Sequence, residues 1–225
     1  MKTTINNSRR QFLGALALGA TASSLSVLTN PMYADVPIPD SSKINMADNW
    51  FKNIKGKHRI VYDGSTPHNG FPVIWNWAFY LSNNETGTLD DDMTAMTVLR
   101  HEAIPIAYED RLWEKYPLGE VFHMHDKNDQ PYKRNPFYEP QEGDFPLPQI
   151  EGIKRMQERG ALFCVCDLAT KVYSNAVAGQ MNLDPKEVYE DWVSGIIPGI
   201  QLVPSGVWAL GRAQEHGCGY IFAGK

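Results

Sequence analysis

Between residues 58 and 223, five short apolar runs alternate with stretches of helical periodicity, and few folds accommodate that order. Ile60-Val61-Tyr62 ends at Asp63, and a loop rich in Gly, Ser, Pro and Asn leads to Pro72, a favourable first residue of a helix that carries Val73, Ile74, Trp77, Ala78 and Leu81 at helical spacing. Met96–Leu99 reads as a buried strand, His101 and Glu102 as a loop, and Pro105 as the start of a helix with Tyr108, Leu112 and Tyr116 on one face. A short helix with Ile153 and Met156 stops at Gly160, and the strand Ala161–Cys166 and a helix through Leu168, Val172, Tyr173 and Ala176 follow. Asp184 as N-cap, Pro185 at the first position and Glu187 at the third predict another helix, ending near Gly195. Gly199–Val203 is the fourth strand, Ser205 starts a helix that Gly217 stops, and Gly219–Ala223 is the fifth. Strands alternating with helices imply right-handed crossovers and a mostly parallel sheet covered on both faces, a flavodoxin-like three-layer α/β fold.

Residues 117–149 break the rhythm with six of the fifteen prolines, together with Phe122, Tyr132, Phe137, Tyr138 and Phe145. That proline density forbids a regular helix or central strand, and the aromatic residues argue that the segment packs on something, as a lid, a subunit arm or an ordered insertion. Residues 35–57 are polar and mixed and read as a linker leading into the domain at 58–225.

Ser8-Arg9-Arg10-Gln11-Phe12-Leu13-Gly14 resembles the twin-arginine export signature, and the apolar stretch Ala15–Leu28 is too short and too weakly apolar for a stable membrane span. Residues 1–34 are therefore expected to be a signal peptide, which sends the protein to the periplasm. Its removal takes Lys2, Arg9 and Arg10 and no acid, leaving 18 basic against 26 acidic residues and moving the net charge from -5 to -8. An acidic chain without a basic stripe lacks the surface that nucleic acid requires. No later segment is long and apolar enough for a membrane.

Ligands of such sheets bind outside the carboxyl ends of the strands. Those ends carry Asp63, then Arg100 and His101, then Cys166 and Asp167, then Pro204 and Ser205. Cys166 stands where a strand turns into a helix, so unpaired N–H groups and the helix dipole can stabilise a thiolate there. His101 is the candidate base or orienter for it. Cys164 lies deeper in the strand and reads as core, and Cys218 falls at the amino end of the last strand. Alternation puts the sulfurs of Cys164 and Cys166 on one face. His123 and His125, one residue apart, would project alike from a strand and offer an alternative role, a metal-binding or assembly module. Nucleotide-binding glycine motifs, a Walker lysine and a Gly-x-Ser-x-Gly elbow are all absent, so no resident cofactor is expected.

Gly160-Ala-Leu-Phe-Cys-Val-Cys166, followed by Ile197-Pro-Gly-Ile-Gln-Leu-Val-Pro-Ser-Gly-Val-Trp-Ala-Leu-Gly211 and Gly219-Tyr-Ile-Phe222, resembles the DsrE family of sulfur-relay proteins over roughly residues 58 to 223. The resemblance places the family's reactive cysteine on Cys166 and its proline and serine of the fourth strand on Pro204 and Ser205. It implies a persulfide-carrying thiol, a sulfur donor or acceptor protein as partner, and a homo-oligomer, trimeric or hexameric. The proline-rich insertion has no counterpart in that family's compact pattern.

Overall fold

The computed structural model describes residues 41–225; the export signature, with Arg9, Arg10, Phe12 and Leu13, lies outside the described residues. Five parallel strands form one sheet: β1 (His58–Gly64), β2 (Met93–Leu99), β3 (Leu162–Cys166), β4 (Ile200–Val203) and β5 (Gly219–Phe222). Helices α1 (Ser41–Trp50), α2 (Phe71–Glu85), α3 (Asp110–Lys115), α4 (Leu118–Val121), α5 (Ile153–Glu158), α6 (Asp167–Met181), α7 (Pro185–Ser194) and α8 (Gly206–Glu215) accompany them. This is the flavodoxin-like three-layer architecture that the alternation predicts.

The strand order is β4-β3-β2-β1-β5. The chain steps outward from β1 to β4 and then returns to the free side of β1. Right-handed connections that step one way share a face, and the one that steps back lies on the other. Two separate cores follow from this winding. The larger lies under the elements between β1 and β4 and includes Trp77, Ile104, Trp113, Phe163 and Trp192. The smaller lies under α8, where Val61, Met96, Val98 and Cys164 from the sheet meet Ala209, Leu210 and Ala213. β2 is covered on both sides, and all seven of its residues are buried. Its polar members are satisfied: Asn76 Nδ2 on α2 donates to Thr97 Oγ1 (3.1 Å), and Thr97 donates to the Pro72 carbonyl (3.1 Å).

The helix starts marked by sequence are built as expected. Asp184 Oδ1 accepts from the backbone N–H groups of Lys186 and Glu187, and Ser205 Oγ accepts from that of Trp208. Two segments differ from the sequence-based expectation. From Ser41 the supposed linker is helical, and Phe51 is fully buried in the smaller core, its ring edge-on to Trp208 at 5.5 Å. Residues 101–107 are a 3-10 segment with Pro105 inside, and the helix starts only at Asp110. The cause is pairing: Tyr108 is extended and bridges Ile196, with Ile197 N–H donating to Ala107 O and Glu109 N–H to Gly195 O, which breaks the helical path.

The insertion at 117–149 packs on the domain as its aromatic residues imply, with Phe122, Phe137 and Phe145 in the larger core. Asn135, 3% exposed, holds it from within: its Nδ2 donates to the carbonyls of Ile106 and Tyr108, its Oδ1 accepts from Phe137 N–H, and its own N–H reaches Asp110 Oδ1. Every polar atom of this side chain is thereby partnered inside the core, as burial requires. Phe137 and Phe145 pack at the start of α2 against Gly70, whose φ is 84° and whose absent Cβ would lie 2.8 Å from each ring. Replacing Gly70 by Ala is expected to cost about 1–3 kcal/mol in denaturant unfolding, from left-handed strain plus overpacking.

Across the opposite side of the larger core, Asp191 on α7 gathers Arg111, Lys115 and the Tyr116 hydroxyl, at 2.5, 2.6 and 2.6 Å. Burial by itself would raise this carboxyl, but the hydrogen bonds from Lys115, Tyr116 and Arg111 outweigh it and hold the pKa at about 2. A depressed folded pKa adds stability above the unfolded value of 3.8, and that stability disappears as pH falls towards 2. Urea midpoints measured from pH 5 to pH 2 are expected to fall more steeply for wild type than for Asp191→Asn.

Candidate functional site

The helices that follow β3 and β4 leave for opposite faces of the sheet, α6 to one and α8 to the other. Such a divergence opens a crevice at the carboxyl ends of the two strands, the place where open α/β sheets bind ligands. Cys166 and Ser205 stand on its two sides, and Leu168 N–H bonds to Pro204 O across it at 3.3 Å. Five of the residues singled out from sequence therefore meet at one end of the sheet: Asp63, Arg100, Cys166, Pro204 and Ser205.

Cys166 ends β3 and is the N-cap of α6. Its Sγ accepts from the backbone N–H of Ala169 at 3.3 Å, so the sulfur faces the positive end of a fifteen-residue helix. Its carbonyl accepts from Thr170 Oγ1, and that hydroxyl shares a 2.8 Å hydrogen bond with the Tyr108 hydroxyl, which fixes the first turn of α6 from behind. Cys164 and Cys166 have parted despite equal parity. Cys164 points into the smaller core, whereas Cys166 turns at the strand end and packs with Ala169 and Tyr173 in the larger. All three cysteines are free. Burial pushes the Cys164 thiol well above its ordinary range and the Cys218 thiol up to about 11, which leaves both as inert apolar filling.

The charge beside Cys166 is that of Arg100. Leu99 is in register with Val165, so the next residues along, Arg100 and Cys166, end neighbouring strands side by side. Arg100 is clamped by a two-pronged ion pair to Asp63, Nε to Oδ1 at 2.6 Å and Nη2 to Oδ2 at 2.9 Å. The Asp63 hydrogen bonds raise the guanidinium pKa against the opposing effect of desolvation, so its positive charge is permanent. Asp63 is 2% exposed and also accepts from the Tyr220 hydroxyl at 2.8 Å. Gly206 lets α8 close on this pair, since a Cβ there would sit 2.6 Å from Arg100 Cβ.

His101 is placed differently from its expected role. Its backbone is left-handed (φ 51°), the residue is exposed, and Nε2 pairs with the Tyr173 hydroxyl at 3.3 Å. Among the described residues no hydrogen bond joins it to Cys166. His123 and His125 belong to the insertion and are not on a strand. Both line a cavity of about 480 Å³ at the carboxyl ends of β1 and β2, and His125 Nδ1 is 3.0 Å from Asp129 Oδ1. Among the described residues no three His, Cys, Asp or Glu side chains are grouped closely enough to share a metal ion.

The parts that sequence reasoning passed over are Tyr220 and Gly206, which complete the Asp63–Arg100 cluster. Tyr220 is reached only through the pairing of β5 with β1, Val61 against Tyr220 and Asp63 against Phe222. A sequence-only signal existed for Gly206 alone, as the small residue after the N-cap.

No family model matches the chain, and no curated protein is similar to it. Among solved structures, a protein of unknown function from Methanobacterium thermoautotrophicum is similar over 74% of this chain and 99% of its own, with 14% identity and a TM-score of 0.36. The molecule is thus defined by its own geometry, a three-layer α/β domain with a helix-capping thiol and a clamped arginine at the crevice between β3 and β4.

Removing Asp63 leaves a largely buried guanidinium without its counter-charge. Asp63→Ala is expected to lower unfolding free energy by about 2–3 kcal/mol, less than a fully buried pair because Arg100 keeps some solvent contact, and Tyr220→Phe by about 1 kcal/mol. Equilibrium denaturation measures both.

Proposed function

We propose that this is an exported, DsrE-like sulfur carrier that accepts and passes on a sulfur atom at Cys166. The observation that carries this is the setting of Sγ: held by the Ala169 N–H at the start of α6 and flanked, in strand register, by the permanently cationic Arg100. Both features set a hydrogen-bond donor and a positive charge beside the sulfur, where a transferred sulfur atom would sit. The donor is a persulfide, R–S–SH. The Cys166 thiolate attacks its outer sulfur, a new S–S bond forms at Cys166 as the donor S–S bond breaks, and the donor departs as R–S⁻, which takes up the thiol proton. No net oxidation occurs. Passing the sulfur on is the same step run towards an acceptor thiol.

Cys166 is 5% exposed, so transfer requires the loops after β3 and β4 to part. The exposed Pro204 and half-buried Ser205 form the yielding side. Export by the twin-arginine route to the periplasm rests on the Arg9-Arg10 signature, and assembly of several copies is supported by the β5 edge, which pairs with no further strand among the described residues and where Tyr220, Ile221 and Phe222 are each at least 40% exposed.

Incubation of the folded protein with a persulfide donor, followed by intact-mass measurement, is expected to add one sulfur atom per chain. The adduct should vanish with dithiothreitol and be missing in Cys166→Ser, while Cys164→Ala and Cys218→Ser retain it. Wild type without an adduct, or Cys166→Ser with one, overturns the assignment. Arg100→Lys is expected to slow the transfer about tenfold.

A further inference from the structure

Strand β5 closes the sheet beside β1, and among the described residues no strand pairs with its other edge. One bond fixes the direction of its backbone groups: Ala223 N–H donates to Asp63 O at 2.9 Å, towards β1. In a strand the N–H and C=O of one residue point the same way, and the direction alternates from residue to residue. Gly219 and Ile221 therefore also turn theirs to β1, whereas Tyr220 and Phe222 turn theirs outward. The free edge presents two donors and two acceptors, placed symmetrically about Ile221.

The side chains are as open as the backbone. Tyr220, Ile221 and Phe222 are 46%, 40% and 46% exposed. Tyr220 and Phe222, in register with Val61 and Asp63, lie on the side of the sheet that carries the smaller core, and Ile221, in register with Tyr62, lies on the other. Neither face of the strand is covered. Edge strands are commonly guarded against copies of themselves by a charge, a proline or a bulge. Gly219-Tyr-Ile-Phe222 contains no charged residue and no proline, and its pairing with β1 runs without a bulge.

Turned end for end, this edge matches itself. With a two-fold axis at Ile221, Tyr220 lies opposite Phe222 of a second copy and exchanges both hydrogen bonds with it, and the reverse pair does the same, so all four outward groups are satisfied. Ile221 then faces its own counterpart as a non-hydrogen-bonded pair, the kind in which side chains approach most closely. We infer that two copies of this chain join β5 to β5, antiparallel about a two-fold axis at Ile221, into one ten-stranded sheet. This deepens the assembly reading above by naming its contact. A contact confined to four-residue edges buries less than the roughly 1,200 Å² at the lower end of standard interfaces, so the dimer is of the class that dissociates on dilution. Such a two-fold contact closes with two copies and builds a hexamer only in combination with another interface.

Sedimentation velocity of the full chain in dithiothreitol, over about a hundredfold range of concentration, tests this. Wild type is expected to pass from one chain to two. Ile221→Lys sets like charges opposite each other, as does Ile221→Glu, and each is expected to weaken dimerisation about tenfold, whereas an equal mixture of the two restores a mixed dimer. Circular dichroism confirms folding, and Phe222→Pro, which removes one outward N–H and leaves the bonds to β1, replaces either charged variant that does not fold. The inference is overturned by a wild type that stays monomeric over the whole range, by an assembly that survives Ile221→Lys or Phe222→Pro, or by a lysine–glutamate mixture that stays monomeric. Ile221 lies on the opposite side of the sheet from Asp63, so sulfur loading of Ile221→Lys at Cys166 is expected to equal that of wild type, and failure of either reading leaves the other standing.

Discussion

The molecule is organised by one reversal of winding. A parallel sheet exposes two apolar faces, and a chain that only stepped outward from β1 would cover one of them. The return from β4 to the far side of β1 carries α8 across the second face, where it meets Val61, Met96, Val98 and Cys164. The same reversal parts the loops after β3 and β4, so the crevice at Cys166 and Ser205 is a by-product of covering the sheet. Phe51, Ile54 and the end of α1 complete the cover, with Asp48 on α1 paired to Arg212 on α8. The described residues just before β1 are thus part of the fold, with Phe51 and Ile54 in the smaller core.

At the crevice, the cost of burying charge is met in a specific way. Asp63 would be intolerable alone on a strand packed on both sides, and Arg100 supplies both its counter-charge and two directed hydrogen bonds. The clamp points the guanidinium along the strand ends, next to Cys166, and Gly206 brings the start of α8 onto its stem. A lysine could balance the charge but not the paired geometry, since its ammonium has no planar fork. The insertion solves a different problem. It is long and irregular, so its backbone polar groups need partners, and Asn135 supplies several at once from a fully enclosed position. Its rings then become the wall of the second cavity.

Much of this was legible in the sequence. The period of the apolar residues gave five strands, and Asp184, Pro185 and Ser205 marked helix starts because their capping chemistry is local. Cys166 was legible as a strand-end residue for the same reason. What was hidden depends on contacts between distant segments. The Tyr220–Asp63 bond requires the register of β5 on β1, which no local pattern contains. The helix expected from Pro105 fails because Ala107, Tyr108 and Glu109 pair with residues 195–197, a partner nearly ninety residues away. The stretch read as a linker, 35–57, looked like a lead-in because its few apolar residues, Phe51 foremost among those described, leave no periodic stripe.

The crevice and the cavity at this end of the sheet share a wall. Phe122 lines the cavity and packs on Tyr173 at 5.1 Å, and Tyr173 belongs to the helix that Cys166 caps and carries the hydroxyl bonded to His101. Burial pushes that phenol well above its ordinary value, with the Glu102 carboxylate adding to the shift, so the hydroxyl keeps its proton. Glu102 therefore acts on both sides, as a wall of the cavity and as a charge felt by Tyr173. The helix whose N-terminus meets the Cys166 sulfur is thus packed, through Tyr173, against the wall of the cavity.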